Sequence, residues 1–289
     1  MGYMLLVVAL GLTISKNMLS KGGRDNFTGL SNLINLNIIN GIIAMLVNAC
    51  FGISFSNLKS WPVIILAILY AVCTIVSAMT QISAMKHGPV AGVMTIFSAG
   101  FIITTVYCAI AFNEPISWLS AFGMLLLIVS IVAVVYKKSE EKKKFNFKFL
   151  ILSIIAMTMS GLVGIIQKYY TYKFNGQGLN SFLFLSFGLL ALISLVIRMF
   201  YKPRLITNFK VKGFIIPALA YAVVYAVLCK LNLYLTSVLD GVVLFPVLNG
   251  GAIAFTALFS FIIFKERLNL RQWMGIFACV LAITIVAVG

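Results

Sequence analysis

Acidic side chains are almost missing from this sequence: Asp and Glu number 6 among 289 residues, beside 22 Lys and Arg and one histidine, His87. Metal centres need clustered His, Cys, Asp or Glu, and general acid-base catalysis needs a placed acid and base, so both lack raw material here. No catalytic residue, metal ligand or cofactor is expected, and an integral-membrane enzyme acting on lipid is set aside on the same ground. The five cysteines, Cys50, Cys73, Cys108, Cys229 and Cys279, show neither paired nor metal-ligand spacing. They read as small core-packing residues. His87, in the turn KHGP, reads as a turn cap.

Long polar stretches are missing too. With 62% hydrophobic residues, 10% charged and a mean hydropathy of +1.09, the chain lies far from soluble usage, where roughly a quarter of residues are charged. Runs of about 20 apolar residues span a bilayer as helix. Ten occur, near 2–20, 28–52, 60–85, 89–112, 117–136, 149–171, 180–201, 213–236, 241–264 and 268–288. They predict an all-α integral membrane protein in which the lipid bilayer is the solvent and no soluble catalytic domain fits. The first run lacks the basic leader and small-residue cleavage pattern of a signal peptide and reads as a span.

The net charge of +16 would suggest nucleic acid in a soluble protein. Sorted by loop, however, seventeen Lys and Arg follow the odd-numbered spans and two, Lys59 and Lys173, follow the even-numbered ones. The positive-inside rule makes the basicity topological: a multi-pass protein of the cytoplasmic membrane, with both termini on the non-cytoplasmic side and no nucleic-acid partner.

What the sequence does contain is a repeat. FNEPISWLSAFG at 112–123 recurs as FKERLNLRQWMG at 264–275, so that Glu114 and Gly123 reappear as Glu266 and Gly275, each 152 positions on. At the same displacement Lys16 matches Lys168. Two five-helix halves follow, residues 1–137 and 149–289, joined by a charged linker at 138–148. Five is odd, so the second half enters the membrane from the opposite side, giving the inverted repeat common among secondary transporters. Each glutamate is expected to cap the helix that follows it. Each glycine, about 13 Å further along the axis, is expected to let helices approach closely.

Ten spans in two halves, each closing with a glutamate, eight residues, a glycine and a final apolar helix, resemble the drug/metabolite transporter superfamily, in its EamA-type branch. The resemblance covers essentially the whole chain, and Lys16 and Lys168 sit where that family often carries a lysine. It implies a carrier of small metabolites, with a cavity between the halves lined by the third, fourth, eighth and ninth spans and alternating access by rocking. Family members usually keep their termini in the cytoplasm, the reverse of the charge count here.

Polar groups within spans are costly and mark candidate contacts. In the eighth span Tyr221, Tyr225 and Asn232 share one face, and Tyr70 recurs in the third. The ninth span holds FPVLNGG, where Pro246 removes a backbone donor ahead of Asn249. Either the helix opens there, exposing polar groups, or it kinks and packs tightly on its glycines. Ser98 lies at the matching depth of the fourth span. Lys230 either snorkels or meets a substrate anion, while Lys16 and Lys168, nearer helix ends, read as anchors. No acid falls at midplane, so proton antiport through a buried glutamate is disfavoured.

The expected function is therefore facilitated diffusion or exchange of a small polar metabolite, amino acids being the leading candidates, through a pathway that one copy of the chain can complete. A lipid-linked-sugar flippase and a non-transporting membrane scaffold remain the alternatives.

Overall fold

A computed structural model describes residues 2–22, 30–53, 60–87, 90–135, 147–200, 212–265 and 268–288. Every regular element among them is helical: α1 Gly2–Gly22, α2 Leu30–Cys50, α3 Trp61–His87, α4a Val90–Ser98, α4b Gly100–Ala111, α5 Trp118–Val135, α6 Phe147–Lys173, α7 Leu179–Phe200, α8 Lys212–Val238, α9 Gly241–Phe264 and α10 Leu270–Val288. Among the described residues nine helical stretches are long and apolar enough to cross a membrane, α4a and α4b jointly supplying one, and α5 adds a shorter apolar helix at Trp118–Val134. The chain is an all-α, multi-pass membrane protein. Large apolar side chains cover its outside, among them Leu125, Val129, Ile216 and Phe277, all more than half exposed. Lipid tails match that surface and water would not.

Helix ends follow local chemistry. Asn113 (φ 52°) and Asn175 (φ 48°) take the left-handed conformation just past α4b and α6, which Asn tolerates better than most residues. Ser117 caps α5, its Oγ accepting the Ser120 N–H at 3.0 Å. Asn269 and Gln272 make one arm of a capping box on α10, with Gln272 Oε1 accepting the Asn269 N–H at 3.1 Å.

The helices pair as α5 with α10, α2 with α7, and α3 with α6; α1 lies on α8 and α9, and α4b between α6 and α9. The two motif glycines seat opposite ends of the α5–α10 interface. A Cβ on Gly123 would meet Val286 Cγ2 at 2.8 Å, and one on Gly275 would meet the Ala133 Cβ at 2.9 Å. Tight packing at these glycines is thus as the repeat predicts. Gly2 lies against Leu239, Gly176 against Ser237 and Gly123 against Val286. The α4b–α5, α6–α7 and α8–α9 connections therefore share one end of the bundle with Gly2 and Val286, called below the Glu114 end.

The proline in the ninth span does not open it: α9 runs unbroken from Gly241 to Phe264 with Pro246 inside. Its glycines serve packing, Gly250 seating Leu127 and Gly251 seating Leu10. The interruption falls instead in the fourth span, at Ala99, where Ala99 N–H bonds to Ile96 O and Ile102 N–H to Ala99 O, turns of three residues rather than four. Residues 138–146 of the linker and Glu266 lie outside the described residues.

Candidate functional site

Two groupings inside the bundle bring sequence candidates together among the described residues. The first is at the Glu114 end. Leaving α4b, the chain turns at Asn113 and points Glu114 inward, where it is 9% exposed. Its Oε1 lies 2.7 Å from Lys168 Nζ of α6, and its Oε2 accepts the Val242 N–H, at the start of α9, at 3.0 Å. Lys168 also donates to the Leu239 carbonyl at 3.0 Å. Buried charges persist where they are paired and their remaining valences met, and this pair meets both conditions.

The cluster corrects two expectations. Glu114 caps a helix, but the helix is α9, not the α5 that follows it. Asp240 occupies the N-cap position of α9 without a side-chain cap bond, and the carboxylate from the first half fills that place; the positive end of the helix dipole adds to the attraction. Lys168 is no lipid anchor either, since it is buried and reaches the carboxylate instead of the interface. Around the pair, the first half bears directly on the second: Phe112 packs on Tyr172 with ring centroids 4.6 Å apart, and Thr104 Oγ1 donates to Gly161 O at 2.8 Å. α4b meets α6 closely because Gly100 and Gly161 lack side chains.

The second grouping is aromatic and lies deeper. Tyr70 of α3 and Tyr225 of α8 both approach Phe187 of α7 edge-on, at 6.1 and 5.9 Å. Tyr225 stacks on Tyr221 at 6.0 Å, and Lys16 Nζ of α1 sits 5.8 Å from the Tyr225 ring centre. The Cys229 thiol lies beside the phenols of Tyr225 and Tyr70, and Gln167 Nε2 of α6 donates to the Tyr70 oxygen at 3.4 Å. Three candidates from the sequence, Tyr70, Tyr221 and Tyr225, thus meet in one cluster, with Lys16 added. Lys16 is not an interfacial anchor: its ammonium lies on an aromatic face.

The other candidates fall differently. Asn232, two turns beyond Tyr225, is half-buried and its Oδ1 has no hydrogen-bond partner among the described residues. Asn249 is exposed although its neighbours on α9 are buried, and it lies on the same face as Thr256, two turns on, which accepts a hydrogen bond from Asn17 Nδ2 of α1 at 3.0 Å. Asn249 Nδ2 itself donates to Phe245 O at 2.9 Å. Ser98 is buried at the α4 break, donating to Thr95 O at 2.8 Å. Lys230 stands apart, its ammonium 3.0 Å from the centre of the Phe51 ring. Gln167, Phe187 and Cys229 are members that no sequence motif marked. Among the described residues no cluster of His, Cys, Asp or Glu is able to hold a metal.

No protein-family model and no curated protein matches the chain. A solved structure described only as "Crystal structure of protein" is similar over 99% of this chain and 97% of its own, with a TM-score of 0.75 at 12% sequence identity. At that identity the likeness extends to the fold. Fold and site together define a multi-pass helical membrane protein with an internal ion pair and a lysine-bearing aromatic cluster.

Proposed function

We propose that the protein is a carrier that moves a small polar metabolite across the cytoplasmic membrane by alternating access, as the EamA-type transporters it resembles in sequence do. The observation that carries this is the Glu114–Lys168 pair, which ties the two halves of the chain together at one end of the bundle. Helix packing supports a duplicated, inverted plan. Exchanging each helix for its counterpart five places away turns α3–α6 into α8–α1, α2–α8 into α7–α3 and α4–α6 into α9–α1, all of them packed pairs.

Two packed pairs, α5–α9 and α6–α8, lack a comparable counterpart among the described residues. α6 packs on α8 near the ion pair, whereas α1 and α3 show no comparable packing among the described residues. That asymmetry fits a state sealed at the Glu114 end and looser at the other. Coupling to protons is not required by the described residues, among which the one buried carboxylate, Glu114, is neutralised by a lysine.

Counterflow in proteoliposomes tests the reading. Vesicles loaded with unlabelled amino acids and small carboxylates should transiently accumulate a labelled member of the pool with no ion gradient. Flat traces for every compound, with and without imposed proton and sodium gradients, would overturn it.

A further inference from the structure

We infer that the Lys16–Tyr225 cluster is a binding site for a small organic carboxylate with an apolar or aromatic body. The inference rests on the carrier reading and names the class of molecule carried. Lys16 is half-buried, two-thirds of the way along a helix that packs chiefly on α8 and α9, and its ammonium lies on the face of Tyr225. An ammonium held inside a membrane protein needs a counter-charge or a π face. The described acids, Glu114 and Asp240, stand at the Glu114 end, and no described carboxylate pairs with Lys16. The aromatic face is a partial substitute for an anion, and a carboxylate arriving from solution completes it.

The surroundings set the rest of the molecule. Tyr225, Tyr221 and Phe187 offer flat apolar faces to a hydrocarbon body. The unpartnered Asn232 Oδ1, two turns along the Tyr225 face of α8, is an acceptor that a carboxylate does not fill and a hydroxyl on the ligand body would. One ammonium balances one negative charge; a phosphate dianion calls for further cations or an Arg fork, and neither is present among the described residues of the cluster. A cationic amine finds no carboxylate among the described residues of the cluster. An amino acid satisfies the lysine but leaves its own ammonium without an anionic partner, so simple monocarboxylates rank ahead of it.

The test uses the full-length protein in detergent and three probes sharing one body: phenylacetate, phenylalanine and phenethylamine. Ligand-dependent rise in melting temperature is measured for wild type, Lys16→Gln, Lys16→Arg and Tyr225→Phe. Phenylacetate is expected to raise the melting temperature by several degrees at saturation, more than phenylalanine, with no rise from phenethylamine. Lys16→Gln should abolish the rise, and Lys16→Arg and Tyr225→Phe should keep most of it. Equal response to phenethylamine, a phenylacetate response that survives Lys16→Gln, or no response to phenylacetate would each overturn the inference. Folding of Lys16→Gln is checked by its own melting transition and by gel filtration, and the charge-keeping Lys16→Arg carries the test if the Gln variant does not fold. Counterflow without carboxylate preference would sink this inference and leave the carrier standing; carboxylate binding without counterflow would do the reverse.

Discussion

Glu114 and Lys168, 2.7 Å apart, are joined across the boundary between the two halves of the chain, and the carboxylate that neutralises the lysine also caps the first turn of α9. One side chain thus fixes three elements: the turn after α4b, the outer part of α6 and the start of α9. Removing it separates them together.

Glu114→Ala is expected to destabilise the protein by about 3 kcal/mol, because it leaves a buried ammonium unpaired. Replacing both partners, Glu114→Ala with Lys168→Met, should cost less than Glu114→Ala alone. Melting temperatures of the two single variants and the double variant check this; additive losses would show that the pair is not coupled.

The motif glycines are packing residues. Gly123→Val and Gly275→Val each place methyl groups where Val286 and Ala133 already stand, and each should cost about 1–3 kcal/mol by overpacking. Gly11, whose Cβ would meet nothing within 4 Å, is the control. Gly11→Ala should leave the melting temperature unchanged or slightly raised.

Ser117→Ala removes the hydroxyl that accepts the Ser120 N–H and should cost about 1 kcal/mol. Glu114→Gln should leave this cap of α5 intact. Hydrogen exchange at the Ser120 amide separates the two roles: faster in the first variant, unchanged in the second.

Tyr225→Ala is expected to abolish counterflow in protein that still folds, whereas Lys230→Ala, which among the described residues loses the contact with the Phe51 ring, should transport at close to the wild-type rate. Initial uptake rates at matched protein density measure both. Equal losses would place Lys230 in the pathway.

The spans were legible because uninterrupted apolar runs have one physical solution in a bilayer. Gly123 and Gly275 were legible because a small residue inside such a run has few uses besides close packing. The partner of Glu114 was not. A carboxylate beside a helix start reads as a cap for that helix, and nothing local shows that Asn113 turns the chain so that Glu114 meets α9. The scarcity of acids held a clue: a lysine inside a span needs a partner, and with 6 acids in the chain the choices were few. Pro246 and the glycines after it suggested an opened helix, yet the packing of Leu127 and Leu10 against those glycines holds α9 closed. The break at Ala99 left no mark, since alanine is itself a strong helix former.

The most direct measurement of the central claim is counterflow before and after a covalent bond is made across the Glu114 end. Phe112 and Tyr172, whose rings touch there, are replaced by cysteines in a background with Cys50→Ser, and the pair is oxidised in proteoliposomes. Alternating access predicts that uptake falls to background on complete oxidation and returns on reduction. Uptake unchanged by a complete cross-link would contradict it, since the Glu114 end would then not have to open for the molecule to pass.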